Sequence, residues 1–441
     1  MKDTLLEDIF AKRGSTGEDE SIYDPTQDCK LVGAARALGG VTDSVTIVHS
    51  RPGCHCGVLL LRALSSNQND IRLVNSGFRT QDIVYGGEGR LASTIRASYG
   101  NFKPELIATL NCSAPAIMGD DVSGAAAAVA TEIPPETIAL DTGGYEGPSW
   151  KGYEDVLSEL TRFMVASDGS DNSPDQDPVV NLIGFKQDDV RAGPDLSEIR
   201  RILNGQNISI NAVLTSSSFK EIKNAPRASL NLVLGGDGLE CAKIMEERFE
   251  VPYVVVPYPY GVGGSTDFLE AATSGVGQDL NRQAIDDESR WIKDQIEKIY
   301  LHLQGIYDSD VAVIGEGAHA FDLARFLSDE LGFNVKVLVI TSRNHLSQEM
   351  AAEYDDYWEL LIVEPDRFRM DEIVGSCGVG MVFGSTMEKK LAHGLNVPLV
   401  RTFYPLLDDV SISNSPYAGF RGTINLIEDI INPIIHNYME V

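Results

Sequence analysis

Cysteine is scarce in this chain, positive charge is outnumbered, and no long apolar run occurs. Six cysteines are spread over 441 residues with no clustered, even framework. That excludes a small disulfide-stapled secreted scaffold and fits a reducing, cytoplasmic setting. There is no C-x-x-C pair, and Cys54-x-Cys56 is too tight for a standard zinc or redox pair. Basic residues number 36 against 65 acidic ones, a formal net charge of -29. Such a chain repels phosphate backbones and anionic bilayers, so neither nucleic acid nor a membrane is an expected partner. Gly and Pro interrupt the apolar stretches well short of the ~18 to 20 residues that a membrane helix needs. The opening MKDTLLEDIFAKRGSTGEDESIYD has no apolar h-region, so no signal peptide is expected. No Walker A sequence occurs, so a P-loop nucleotide site is not expected in this chain.

What is there is material for several cores. The hydrophobic fraction is 43%, and the length predicts about two to four domains. The first twenty or so residues read as a short helix followed by a polar tail. Strand-like runs at 45–49, 106–110 and 137–141 then alternate with helical patterns, each ending in a turn signal. Residues 167–178, SDGSDNSPDQDP, read as an acidic linker. A second block has strand-like runs at 179–183, 209–214, 230–234 and 251–257, and a long helical pattern follows over 278–304. A third block has runs at 311–315, 335–340, 360–363, 381–383 and 399–403. No period of about 20 to 50 residues repeats, which excludes a solenoid. The predicted fold is α/β, three Rossmann-like doubly wound parallel-sheet domains at 1–170, 178–275 and 276–441.

Open α/β sheets bind ligands beyond the carboxyl ends of their strands. Cys54 follows the run 45–49 by a short turn and Cys112 follows 106–110 almost directly, which predicts one shared crevice. A single cysteine in an apolar setting is ordinarily a small buried hydrophobe. Cys29, in DCKLVGAARAL, Cys54, in HSRPGCHCG, and Cys112, in NCSAPAIMGDD, all sit in Gly- or Pro-marked loops at element ends. Iron–sulfur clusters need thiolates and can take them from such scattered loops. By spacing alone the signal is weak.

The motifs carry more. CKLVGAARAL, IVHSRPGC, QDIVYGGEGRL and NCSAPAIMGDD resemble the N-terminal domain of nitrogenase component 1 subunits, the last with that family's Cys-x(6)-Gly-Asp-Asp. PSWKGYEDVL, VPYVVVPYPYGVGGSTDFL, VPLVRTFYPLLDD and YAGFRGTINLIEDIIN extend the resemblance, in β-type form, over about 90% of the chain, the N-terminus excepted. The resemblance implies that Cys29, Cys54 and Cys112 are the β-side ligands of an Fe–S cluster shared with an α-type subunit. The cluster would be of the eight-iron P-cluster (8Fe-7S) type, with 4Fe-4S the alternative. It implies an α2β2 heterotetramer that receives electrons from an Fe protein using Mg-ATP.

Three departures matter. Where the molybdenum enzyme's β subunit has a cluster-proximal Ser, this chain reads Gly147-Pro148-Ser149, with Pro148 at the place and Ser149 as the substitute. In ASLNLVLGGDGLECAKIM a Gly, 235 or 236, stands where an α-type subunit carries its cofactor Cys, and His393 and His436 are not in the setting of its late His. The chain is therefore not expected to ligate a catalytic cofactor, and Cys241 and Cys377 read as core or surface thiols. Cys56 reads as a bystander. The chain is also shorter than a typical dinitrogen-reducing β subunit, which with the Ser departure looks most like methylthio-alkane reductase. A nitrogenase β subunit, a cofactor-assembly scaffold, and protochlorophyllide-type or nickel-tetrapyrrole reductases are the alternatives. His49 and His55 flank Cys54 and are candidates to hydrogen-bond a cluster sulfide, against the plain reading of structural histidines. Gly315-Glu316-Gly317 opens like a dinucleotide fingerprint but lacks the third glycine and the later acidic residue, so it reads as a structural module.

Overall fold

The computed structural model describes residues 29–65, 72–166, 177–303 and 306–439, with side chains to 435. The expected N-terminal helix, most of the acidic linker and the side chain of His436 lie outside the described residues.

Three all-parallel sheets form, and each is built from one block of strand-like runs. The first has strand order β2-β1-β3-β4, with β1 Ser44–His49, β2 Leu73–Asn75, β3 Leu106–Asn111 and β4 Glu136–Leu140. The second has order β6-β5-β7-β8: β5 Val179–Ile183, β6 Ser209–Val213, β7 Leu230–Leu234 and β8 Tyr253–Val256. The third runs β11-β10-β9-β12-β13: β9 Asp310–Glu316, β10 Asn334–Ser342, β11 Leu360–Val363, β12 Met381–Gly384 and β13 Leu399–Arg401.

Alternation along the strands explains why helices cover both faces of the first sheet. Every residue of β1 and β3 is buried. Val45, Ile47 and Ile107 face one core with Leu91, Ile95 and Val129. Val48, Leu106, Ala108 and Leu110 face the other with Leu31, Leu38, Tyr153 and Leu157. Strands buried on both faces read as largely apolar runs, and these do, with Thr46 and Thr109 as the internal polar residues.

The helices of this sheet are α1 Lys30–Gly39, α2 Pro52–Ser65, α3 Asp82–Tyr85, α4 Glu88–Phe102, α5 Ser113–Met118, α6 Val122–Ala130 and α7 Ser149–Leu160. The closest helix packing is between α1 and α7, and two glycines permit it. A Cβ on Gly33 would stand 1.7 Å from the Ser149 carbonyl oxygen, and one on Gly152 would stand 2.0 Å from that of Lys30. The Lys30 amide donates to the Gly147 carbonyl at 3.0 Å, and Lys30 Nζ pairs with Asp155 at 2.7 Å.

The long helical pattern predicted over 278–304 is broken in the structure. Helix Arg282–Ile296 gives way to a 3-10 turn, Glu297–Ile299, and a short helix, Tyr300–Leu303. The C-terminal helix Gly419–Met439 returns to pack on helices Ala192–Asn204, Gly261–Gly275 and Arg282–Ile296. One continuous core joins the second and third sheets, and a parallel bridge between Thr42 and Ser218 ties the first sheet to the second. Among the described residues no helix is long and apolar enough to cross a membrane.

Candidate metal centre

In the order β2-β1-β3-β4 the chain leaves β1 and β3 toward opposite edges of the sheet, which opens a crevice beyond their carboxyl ends. Cys54 and Cys112 lie in the turns at those two ends. His49 and Asn111 are paired across the ladder, and the Cys112 amide donates to the His49 carbonyl at 3.1 Å. The two turns are thus set side by side by the last rung of the sheet.

All three candidate cysteines are at helix starts. Cys29 and Cys112 are the extended residues that precede α1 and α5. Cys54 lies in the first turn of α2, which opens with Pro52, and not in a loop as the Pro-Gly signal implies. Proline at a first helical position gives up only an amide that has no intrahelical partner. Helix N-termini favour negative charge, so each position suits a thiolate.

The thiols of Cys54 and Cys112 are joined by a hydrogen bond, and Cys29 is close enough for its charge to act on Cys54. That bond pulls the Cys112 thiol down to about 6; burial works against it, and the amides of Ala114 and Arg51 help it. The same bond, with burial, pushes Cys54 far up. The bond thus moves the two thiols in opposite directions, Cys112 toward the thiolate and Cys54 away from it. Cys29 reaches the pair through the 142–149 segment. A Cβ on Gly144 would lie 3.8 Å from Cys29 Sγ and 3.2 Å from Ser113 Oγ, and the Gly144 amide donates to Ser113 Oγ at 2.9 Å. Ser113 and Gly144 are site neighbours that the motifs alone do not pick out; the Thr-Gly-Gly turn after β4 is the available signal.

Among the described residues no three His, Cys, Asp or Glu side chains stand close enough to hold a single metal ion. A polynuclear cluster needs no such common centre, because each thiolate binds its own iron. In kind, the donor set fits an iron–sulfur cluster: three soft thiol ligands, one already drawn to thiolate.

The flanking histidines are held by protein groups. His49 is fully buried, with Nδ1 2.8 Å from Ser76 Oγ and Nε2 3.1 Å from Asp120 Oδ2. Both ring nitrogens are taken, so neither is left for a sulfide. His55 Nε2 lies 3.3 Å from the Leu73 carbonyl. Cys56 is exposed on α2. Cys241 is fully buried under the second sheet, where desolvation raises its thiol pKa, and Cys377 lies against the Ile373 carbonyl in the third. Ser149 is buried at the start of α7, behind the extended Pro148.

The Gly315-Glu316-Gly317 turn holds an ionic network. Buried Glu316 pairs with Arg36 of α1 and with Lys186, and Arg36 also holds Asp188 and Asp189. Burial alone would raise the Glu316 carboxyl, but Arg36 and Lys186 outweigh it and hold the group well below the usual range. A Cβ on Gly315 would meet the Phe403 ring at 2.4 Å. The turn is packed as a junction between the three sheets.

The fold is that of a three-sheet, doubly wound oxidoreductase subunit. The chain belongs to the nitrogenase component 1 type oxidoreductase family, whose sequence profile matches residues 29–435. It is 26% identical over 420 residues to a light-independent protochlorophyllide reductase subunit of Bradyrhizobium sp. strain BTAi1, covering 92% of this chain and 78% of that protein. It is 24% identical over 441 residues to the nitrogenase molybdenum-iron protein beta chain of Clostridium pasteurianum, covering 93% of each. A solved structure, Nitrogenase Cp1 at pH 6.5, shares the fold with a TM-score of 0.81 at 21% identity, covering 97% of both chains.

Proposed function

We propose that this chain is the β-type subunit of a nitrogenase-like reductase, and that Cys29, Cys54 and Cys112 are its contribution to an Fe–S cluster shared with an α-type partner. The observation that carries this is the gathering of the three cysteines, each at a helix start, around the crevice of the first sheet. Bound there, such a cluster supplies one-electron transfer from an Mg-ATP-dependent Fe protein toward the partner's active site. The chain's own residues do the rest. The Cys54 hydrogen bond draws the Cys112 thiol toward the thiolate, and the α2 and α5 N-termini favour that charge. Helices α2 and α5 also present exposed apolar side chains, Leu60 and Ile117, and the neighbouring turn Gly144–Glu146 presents Tyr145. A surface of that kind suits an obligate partner.

The substrate class in this reading is small methylthio-alkanes, on the departure at Gly147-Pro148-Ser149. The cleavage takes two electrons and two protons: the C–S bond of dimethyl sulfide breaks, giving methane and methanethiol. The test is gas chromatography of the complex reconstituted with its partner, an Fe protein and Mg-ATP, on dimethyl sulfide and (methylthio)ethanol, with acetylene and dinitrogen alongside. Hydrocarbon with little ammonia is the expected result. Robust ammonia formation hands the case to a dinitrogen-reducing β subunit, and no turnover to an assembly scaffold. The ligand set is tested by iron content: Cys112→Ala, purified with its partner, loses iron and brown absorbance. Full iron in that variant would refute the assignment.

A further inference from the structure

Three sequence motifs meet at one buried point away from the cysteine thiols. His49 comes from IVHSRPGC, Gly87 from QDIVYGGEGRL and Asp120 from NCSAPAIMGDD. Asp120 Oδ2 faces His49 Nε2 at 3.1 Å, and its Oδ1 accepts the Gly87 amide at 3.1 Å. A carboxylate oxygen accepts, so Nε2 carries the ring proton and Nδ1 takes the Ser76 hydroxyl. Phe78 stands edge-on to the imidazole at 5.3 Å. Gly87 has no room for a side chain: its Cβ would lie 2.4 Å from Asp120 Oδ2, 2.7 Å from Phe78 Cε2 and 2.8 Å from His49 Nε2.

The consequence is topological. Helix α5 runs from Ser113 to Met118, with Cys112 before it and Asp120 just beyond it. At its start the Cys112 amide donates to the His49 carbonyl, and past its end Asp120 holds the His49 ring. Both ends of this short helix are therefore tied to one residue at the tip of β1, the strand that leads to Cys54. The Ser76 and Phe78 amides, which donate to the Val48 and Ser50 carbonyls, brace the same tip from β2.

We infer that His49, Asp120 and Gly87 form a clamp that fixes the Cys112 turn against the Cys54 turn, and that iron retention depends on these positioning residues although none of them binds iron. The inference rests on the cysteine ligand set proposed above. Outer partners of metal ligands typically control affinity by about 10- to 100-fold.

The test is a chelator challenge of the complex purified with its partner, read as iron released over time, with the thermal midpoint and the cluster's electron paramagnetic resonance line shape measured in parallel. Asp120→Ala should release iron about 10-fold or more faster than the parent, with an altered line shape. Asp120→Asn keeps an oxygen for the Gly87 amide and a polar partner for His49, and should stay near the parent. Gly87→Ala pushes the clamp open from the other side and should behave like Asp120→Ala. Val129→Ala, a core truncation on the far face of the same sheet, controls for stability. Iron release at the parent rate from Asp120→Ala, or equally fast release from Val129→Ala, overturns the clamp. Full iron in Cys112→Ala overturns the ligand set itself, so the two failures are distinguishable.

Discussion

At the scale of single residues, chemistry in this chain follows from what each group is buried against. Cys112 is 3% exposed yet drawn toward thiolate, because the Cys54 thiol and two amides solvate its charge. Cys241 is equally hidden, but apolar neighbours and the nearby Glu154 charge push its thiol up. Cys241→Ala and Cys377→Ala should therefore keep full iron, with at most a modest fall in melting temperature; loss of iron in either would mean a misplaced ligand. A second prediction concerns Asp322, on helix Gly317–Asp329. It accepts the Tyr258 amide at 2.7 Å and faces Tyr354, His319 and Arg325, yet burial raises its carboxyl to about 7. Asp195 and Glu154 are raised in the same sense, to about 6 and about 8. A carboxyl raised on folding gives a contribution that is complete below its unfolded value, near 4, and lost as pH rises through the folded value. The melting temperature should fall between about pH 5 and pH 8. Asp322→Asn keeps an acceptor for the Tyr258 amide and should flatten part of that fall, by a contribution on the order of a few kcal/mol. A variant whose pH curve runs parallel to the parent's would refute it.

At the scale of elements, the helix pair α1–α7 decides where Cys29 stands. Its glycine seam sets the spacing, and the Lys30 amide on the Gly147 carbonyl sets the register of the first turn. Gly33→Ala puts a methyl into the Ser149 carbonyl. It should cost about 1 to 3 kcal/mol by overpacking and lower iron content as the Cys29 turn shifts. Calorimetry and iron assay on the same preparation check both, and unchanged values would show that the seam has slack. Elements are legible in the sequence where their signal is long. Runs such as 230–234 and 360–363 reveal their strands because they are rich in Leu, Ile and Val and bounded by turn signals. β2 escapes a pattern search because three residues carry too little pattern. The helical setting of Cys54 is hidden because Pro-Gly reads as a turn, whereas Pro52 opens a helix. The three cysteines are legible from their motifs. The orientation of His49 is not, because its partners lie 27 and 71 residues away in the chain.

At the scale of the whole molecule, the cysteine site and the three-sheet junction are opposite kinds of place. The junction is closed by Arg36, Lys186 and Glu316, a network that links residues from all three sheet blocks. The cysteine site opens outward, with Cys54 exposed and Val84 and Tyr85, the latter 86% exposed, carried on α3 just before the clamp glycine. Exposed apolar groups such as these are a liability unless another chain covers them. The prediction is that the chain alone holds no stable cluster and turns over no substrate, and that assembly fails when this rim is charged. Val84→Asp with Tyr85→Asp should leave the chain folded, since both side chains already face solvent, and should shift the co-purified complex toward separate subunits. Size-exclusion chromatography with light scattering reads the assembly, and circular dichroism reads the fold. An intact complex carrying full iron in the double variant would mean that the partner covers another face.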